Sequence, residues 1–318
     1  MAARRALDLG ERRPQTTHSL VLQAAYMDQT AARALDGAIG DPPRAPARRQ
    51  AGFGERRFGS VNWLGLWTLY LKEVRRFLKV AFQTIIAPVI STLLFLFVFT
   101  QAFGADRAPI DGVPYIEFLA PGLVMMAILT NAFANSSSSL IIGKVQGSIV
   151  DVLTPPLSPS EVAVAYVAGA ATRGILVGVV TALTSAAFMA TTASPMGVEH
   201  GVAVLYFSLS AALMFAMLGV IGGIWAEKFD QLAAITNFII TPLTFLSGTF
   251  YAISSLPPAF VAFSRVNPVY YLIDGLRFGF TGRAETDVLV GVAVALSVNV
   301  VLAVICYRLL KSGWRLKS

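Results

Sequence analysis

The feature that most constrains this chain is a series of long stretches with almost no charge. Residues 80–104, 118–142, 201–226, 231–250 and 288–307 contain no Asp, Glu, Lys or Arg, and residues 165–192 contain only Arg173. About 20 apolar residues suffice to cross the hydrocarbon core of a bilayer as a helix. Inside that core a backbone N–H or C=O finds no water, so each segment must satisfy its own hydrogen bonds. The expectation is an all-α integral membrane protein with six transmembrane helices at those positions. The uncharged run over 231–264 is too long for one crossing. It is read as a fifth span followed by an irregular segment.

Composition agrees with that reading. The chain is 55% hydrophobic and 14% charged, against roughly 25% charged residues in an average soluble domain. The net charge of +7 would also suit a nucleic-acid-binding protein, but the basic residues flank apolar segments and form no stripe with interleaved aromatics. No nucleic-acid partner is expected. Cys306 is the only cysteine, and His18 and His200 are the only histidines. These exclude an intrachain disulfide and give no basis for a metal or His-based catalytic site.

Residues 1–60 are rich in Ala, Arg, Pro and Gly and are expected to be disordered and cytoplasmic, with scope for a short helix over 19–34. The remainder, 61–318, reads as one transmembrane domain. It opens with VNWLGLWTLYLKEVRRFLK over 61–79. Trp63, Leu66, Trp67, Tyr70, Leu71, Val74 and Leu78 recur at helical spacing, and Lys72, Glu73, Arg75, Arg76 and Lys79 cluster toward the end. This is the pattern of an amphipathic helix lying in the membrane interface. The alternative is an extended start of the first span.

Lys and Arg in the flanks set the orientation. With both termini on one side, that side collects most of the basic residues, from Arg56 and Arg57 to Arg315 and Lys317. The other side holds only Arg107, Arg265, Arg277 and Arg283. Both termini are therefore expected in the cytoplasm of a cell with the chain in its inner or plasma membrane. The segment 251–287 then lies outside, yet stays apolar, and Pro257-Pro258 and Asn267-Pro268 break it. A segment of that kind is expected to dip into the bilayer between spans five and six. An interfacial helix-turn-helix is the alternative. Asp274 and Arg277, one helical turn apart, read as a surface ion pair.

The sequence contains no phosphate-binding loop of the form G-x-x-x-x-G-K-S/T and no dinucleotide fingerprint after a strand. No cofactor is expected in this chain, and no enzymatic activity. The spans carry no Asp or Glu to couple transport to an ion gradient. Arg173 either snorkels to the interface or faces a cavity that attracts an anion. Asn131, Asn135 and Ser136–Ser139 in the second span are either interhelical glue or, with Arg173, a candidate substrate path.

The loop GKVQGSIVDVLTPPLSPSEVAVAY carries the most information. Residues 147–153 suit a short amphipathic helix, Pro155-Pro156 end it, and Ser158 or Ser160 N-caps the next helix. This loop resembles that between the second and third spans of ABC-2 type exporter permeases, which show a charged residue, a Gly, a short apolar helix and then T-P-L-S-P. Here Lys144, Gly147, Asp151, Leu153, Thr154, Pro155, Pro156, Leu157, Ser158 and Pro159 occupy the pattern. LYLKEVRRFLK, with Trp67, Tyr70, Lys72, Glu73 and Arg76 on or beside it, resembles the interfacial helix of that family. TPLTFLSGTFYAISSLPP and VNPVYYLIDGLRFGF, with Gly248, Tyr251, Pro257, Asn267, Pro268, Asp274 and Arg277, resemble its outer re-entrant region.

The resemblance covers roughly residues 61–315 and has implications for mechanism. Two copies of the chain would pair around a path, and two separate ABC ATPase subunits, carrying ATP and Mg, would bind below. The helix over 147–157 would dock on the ATPase, with Leu153 and Leu157 as its apolar contacts. The cargo would be a drug, a lipid or a lipid-linked glycan moved outward. The alternative function is an ATP-independent transporter or channel.

Overall fold

The computed structural model describes residue 27 and residues 61–103, 109–110, 112–192 and 195–315. The expected disordered region 1–60 and its short helix therefore lie outside the described residues, Met27 excepted. Among the described residues the secondary structure is helical, apart from an isolated bridge between Ile110 and Val113.

Helix α1 (Trp63–Leu78) is the amphipathic helix. Asn62 caps it, its side-chain oxygen accepting from the Gly65 amide at 2.9 Å. Leu69, Glu73 and Phe77 recur every four residues and face inward, while Trp63 and Trp67 are exposed. A turn at Lys79 and Val80 separates it from α2 (Ala81–Phe103), so α1 is an element of its own rather than the start of the first span.

Helix α3 (Tyr115–Val145) is the central element, buried along most of its length and packed on later helices. A short helix, α4 (Ile149–Leu153), follows after Gly147, which adopts φ +71. Left-handed backbone of this kind costs glycine little, so the chain turns sharply there. Helices α5 (Pro159–Met189) and α6 (Gly201–Trp225) complete the centre. Helix α5 starts six residues before the expected third span, 165–192, does, because Ser158, Pro159 and Glu161 form a capping box with proline in the first turn.

Helices α3 and α6 pack backbone to backbone. A Cβ at Gly219 would stand 2.5 Å from the Phe133 carbonyl oxygen, and one at Gly223 would stand 3.0 Å from that of Ser137. Small residues four apart permit this approach in membrane helices, where dispersion and hydrogen bonds replace the hydrophobic effect. Ser136 adds one such bond, its hydroxyl donating to the Ala216 carbonyl at 2.8 Å.

The segment expected as a fifth span has a different form. Helix α7 (Phe229–Ile235) runs through a π-helical turn (Thr236–Ile240) into α8 (Thr241–Phe245), giving 17 continuous residues. At about 1.5 Å per residue this run is about 25 Å long, short of the roughly 30 Å hydrocarbon core. The π turn has a local cause: Pro242 has no N–H to donate, and the Thr241 amide and hydroxyl both bond the Thr236 carbonyl. The helix ends in a turn before Gly248, at φ +78, earlier than residue 250.

Helices α9 (Pro258–Val266) and α10 (Pro268–Thr281) then follow one another with only Asn267 between them, and α11 (Val288–Ser312) closes the chain. Among the described residues, five helices, α2, α3, α5, α6 and α11, are long and apolar enough to cross a membrane. Helices α2 and α11 are largely unburied, so their apolar faces are left to lipid or to another chain.

Candidate functional site

The residues singled out in the sequence fall into three groups in the fold. The first lies at the end where α3 stops and α5 starts. Lys144 is half-buried, and its Nζ donates to the carbonyls of Gly223 at 3.4 Å, Ile224 at 2.8 Å and Ala226 at 2.5 Å. These are the free carbonyls at the C-terminus of α6, where a cation offsets the helix dipole. Lys144 is thus occupied within the bundle, which leaves it ill-placed to be a free docking charge.

The loop beyond it is braced at a second point. The Ser158 hydroxyl accepts from the Glu161 amide at 3.3 Å, and Glu161 Oε2 accepts from the Ser158 amide at 2.7 Å. Glu161 Oε1 accepts from the Asn62 amide at 2.7 Å, and Asn62 Nδ2 donates to the Pro156 carbonyl at 3.3 Å. One carboxylate therefore caps α5 and ties it to the start of α1. The S-x-x-E pattern signals the cap, but its bond to residue 62 is a tertiary contact that no local pattern signals.

Between these braces the helix is shorter than the expected 147–157 and covers Ile149–Leu153. Ile149 and Val152 are buried, whereas Val150, Asp151, Leu153, Thr154, Pro155 and Pro156 are exposed. Leu157 departs from the expectation. It is half-buried, its Cδ2 2.7 Å from where a Cβ on Gly65 would stand, so it packs on α1 and does not share the open edge with Leu153.

The second group is polar and lies where α1, α3 and α5 meet. Glu73 is 1% exposed and accepts from the Ser139 hydroxyl at 2.8 Å. Arg76 pairs with Glu73 at 3.2 Å and donates to the Asn135 backbone and side-chain oxygens at 2.7 and 2.9 Å, and to Ser138 Oγ at 3.3 Å. Tyr70 hydrogen-bonds Thr172 at 3.1 Å. Gly169 makes room, since a Cβ there would stand 2.6 Å from that of Glu73.

Arg173 lies 14 residues into α5, and its Nη2 donates to Asn131 Oδ1 at 3.2 Å. Asn131 Nδ2 is held by the Ala127 carbonyl at 3.0 Å. Arg173 thus has a hydrogen-bonding neighbour within the bundle, while its Nε, like Asn135 Nδ2, is buried without a partner among the described residues. The structure brings Asn131, Asn135 and Arg173 together, and it places Ser136 on the opposite side, in the contact with α6.

The third group surrounds α10 and its junction with α9. Asn267 caps α10 by accepting from the Val269 amide at 3.0 Å, and donates to the Leu243 carbonyl and Ser247 Oγ. Asp274 accepts from the Glu285 and Thr286 amides, each at 2.9 Å, and from the Thr286 hydroxyl at 2.6 Å. Arg277 donates to the carbonyls of Phe118 at 3.3 Å and Gly248 at 2.8 Å, approaches Glu285 at 3.6 Å, and stacks 3.6 Å above the Phe118 ring. Asp274 and Arg277 are 1% and 3% exposed, and neither is the other's ion-pair partner. The expected surface pair is thus corrected to two buried anchors, because one turn of spacing says which residues share a helix face and not what that face meets.

Glu285 also accepts from the Ile253 amide at 3.1 Å. Burial pushes its carboxyl above the usual carboxylate range, with the Arg277 guanidinium pulling the other way. Pro257 N-caps α9, and the Tyr251 hydroxyl bonds the Phe245 carbonyl. Pro268 occupies the first turn of α10.

The comparisons with known proteins bear on the same stretch. Residues 65–281 match the family described as ABC-2 type transporter. The inner membrane transport permease YadH of Escherichia coli K12 is 33% identical over 258 residues, 81% of this chain and 99% of that protein. Nodulation protein J of Rhizobium leguminosarum bv. viciae is 27% identical over 241 residues, 74% of this chain and 88% of that protein. A match from α1 to the end of α10, together with a relative aligned over nearly its whole length, means that this multi-pass membrane protein belongs to the ABC-2 type transporter family.

Proposed function

We propose that the chain is the membrane-spanning subunit of an inner-membrane ABC exporter, working as a pair of identical chains driven by two separate ATPase subunits. The observation that supports this best is the braced loop around α4. Val150, Leu153, Pro155 and Pro156 present an open apolar edge. Lys144 ties one side of it to α6, and Asn62 with Glu161 tie the other to α1 and α5. An edge fixed at both ends moves as a unit with the helices that hold it. A force applied there by a partner reaches α1, α3, α5 and α6 without being lost in a slack loop.

On this reading α7, the π turn and α8 make the fifth of six crossings, tilted or locally thinning the bilayer to span it. The segment from α9 to α10 is the outer re-entrant segment, and both termini are cytoplasmic. The cargo, a drug, lipid or lipid-linked glycan, moves outward. Asn131, Asn135 and Arg173 are the polar residues a path would meet, with donors still free at Arg173 Nε and Asn135 Nδ2.

The test is a pull-down from gently solubilised membranes, with wild type beside a Val150→Glu/Leu153→Glu variant. Both positions are exposed, so the variant is expected to insert and fold. Recovery of an ATP-hydrolysing subunit with wild type and its loss with the variant supports the assignment. Equal recovery with both moves the docking site elsewhere, and recovery with neither favours an ATP-independent transporter or channel.

A further inference from the structure

We propose that the groove beside Lys72, Arg75 and Lys79 on α1 holds the phosphate of an anionic lipid headgroup. Thr68, Lys72, Arg75 and Lys79 share one face of the helix at spacings of three and four residues. With Leu71 and Arg76 they line a groove of about 600 Å³. Among the described residues, four cations and no carboxylate line it.

The distribution of partners makes this groove a site for an external anion. Glu73 is the only acidic residue in α1, and it is turned away, buried against Ser139 and Arg76. Arg76 is committed to Glu73 and Asn135 and forms the floor. Thr68 spends its hydroxyl proton on the Leu64 carbonyl. Lys72, Arg75 and Lys79 are exposed and, among the described residues, have no ion-pair partner. Recognition therefore falls on one guanidinium, which can grip a phosphate through two parallel N–H donors, and two ammonium groups, which act as point charges.

The surroundings select a lipid over a free anion. Trp63 and Trp67 are exposed on one side along the helix, and tryptophan favours headgroup level. Leu78, Val80 and Phe82 are exposed on the other side, leading into α2. Cations flanked by exposed aromatic and aliphatic residues match a ligand with a charged head and an apolar body. The inference does not depend on coupling to an ATPase.

The full chain is reconstituted into nanodiscs of phosphatidylcholine containing a minor share of phosphatidylglycerol. The phosphatidylglycerol retained per protein after mild detergent extraction is then measured by mass spectrometry. A basic residue near an anionic surface contributes about fivefold in partitioning, so Lys72→Gln/Arg75→Gln/Lys79→Gln is expected to lose retention by up to about a hundredfold. A matched variant, Lys228→Gln/Arg308→Gln/Lys311→Gln, removes the same charge elsewhere and is expected to retain wild-type levels. Unchanged retention in the groove variant, or an equal fall in both, overturns the proposal. Displacement of the lipid by added inorganic phosphate would reassign the groove to a free anion. If the triple variant does not fold, Arg75→Gln alone carries the same test, with a fall of several-fold expected and no fall refuting it.

Discussion

At the residue scale, Glu161 shows how a single side chain can serve two levels of structure. Its carboxylate takes the Ser158 amide to complete the cap of α5, and the Asn62 amide to hold α1 in place. Hydrogen bonds to a charged group contribute about 1.5–3 kcal/mol each way of counting, more when a donor is left buried and unpaired. Glu161→Gln keeps the shape but removes the charge and one acceptor, so a loss of about 1–3 kcal/mol is expected. It should appear as a lower thermal unfolding midpoint in detergent, and an unchanged midpoint would show that the bridge to α1 is dispensable. Such readings also mark the reach of sequence. Ser158 as the cap of α5 follows from spacing, whereas Lys144 as the cap of α6 does not, because 79 residues separate it from Gly223.

At the element scale, the contact between α3 and α6 is governed by size. Gly219→Ala would drive a methyl group to within 2.5 Å of a backbone carbonyl, which must move as part of a helix. Forced overpacking of this kind costs typically about 1–3 kcal/mol. Gly143→Ala provides the comparison, since its nearest neighbour is a side-chain carbon at 3.7 Å, and replacing a glycine in the last turn of α3 gains at most the roughly 0.5–1 kcal/mol of a helix interior. The expected outcome is a fall in folded yield and melting temperature for Gly219→Ala and no fall, or a small rise, for Gly143→Ala. A destabilised Gly143→Ala, or a neutral Gly219→Ala, would contradict the packing described. The same scale explains the short run over α7 and α8. Apolar content fills the segment, but Pro242 and the turn at Gly248 set its length.

At the scale of the whole molecule, the helix ends sort into two sets. Lys144, Asn62 with Glu161, and Arg315, which donates to the Trp225 carbonyl at 2.9 Å, gather the ends of α3, α1, α5, α6 and α11. Arg277, Asp274 and Glu285 gather the start of α3, the turn after α8 and the approach to α11. The proposed topology puts these two ends on opposite sides of the membrane. In a Cys306→Ser background, Thr154→Cys should react with an impermeant thiol reagent only after the cells are opened, and Ala284→Cys in intact cells. Reaction of both from one side would remove the orientation.

Sequence alone determined that this chain lives in a bilayer as a set of helices, because the absence of charge over 20 or more residues is a local property, and of the two arrangements that satisfy every backbone group in hydrocarbon, helix and closed barrel, the helix is the one that uses segments of that length. It also determined the amphipathic character of α1 and the capping of α5, both of which rest on spacings within one or two turns. The tertiary structure decided what each polar residue does. Asp274 and Arg277 became separate buried anchors, Leu157 turned inward onto Gly65, and Lys144 closed a helix distant in sequence. In a low-dielectric interior an unpaired polar group is costly, so its role is fixed by whichever partner packing brings within reach. That partner is a property of the fold as a whole and leaves no trace in the neighbouring residues.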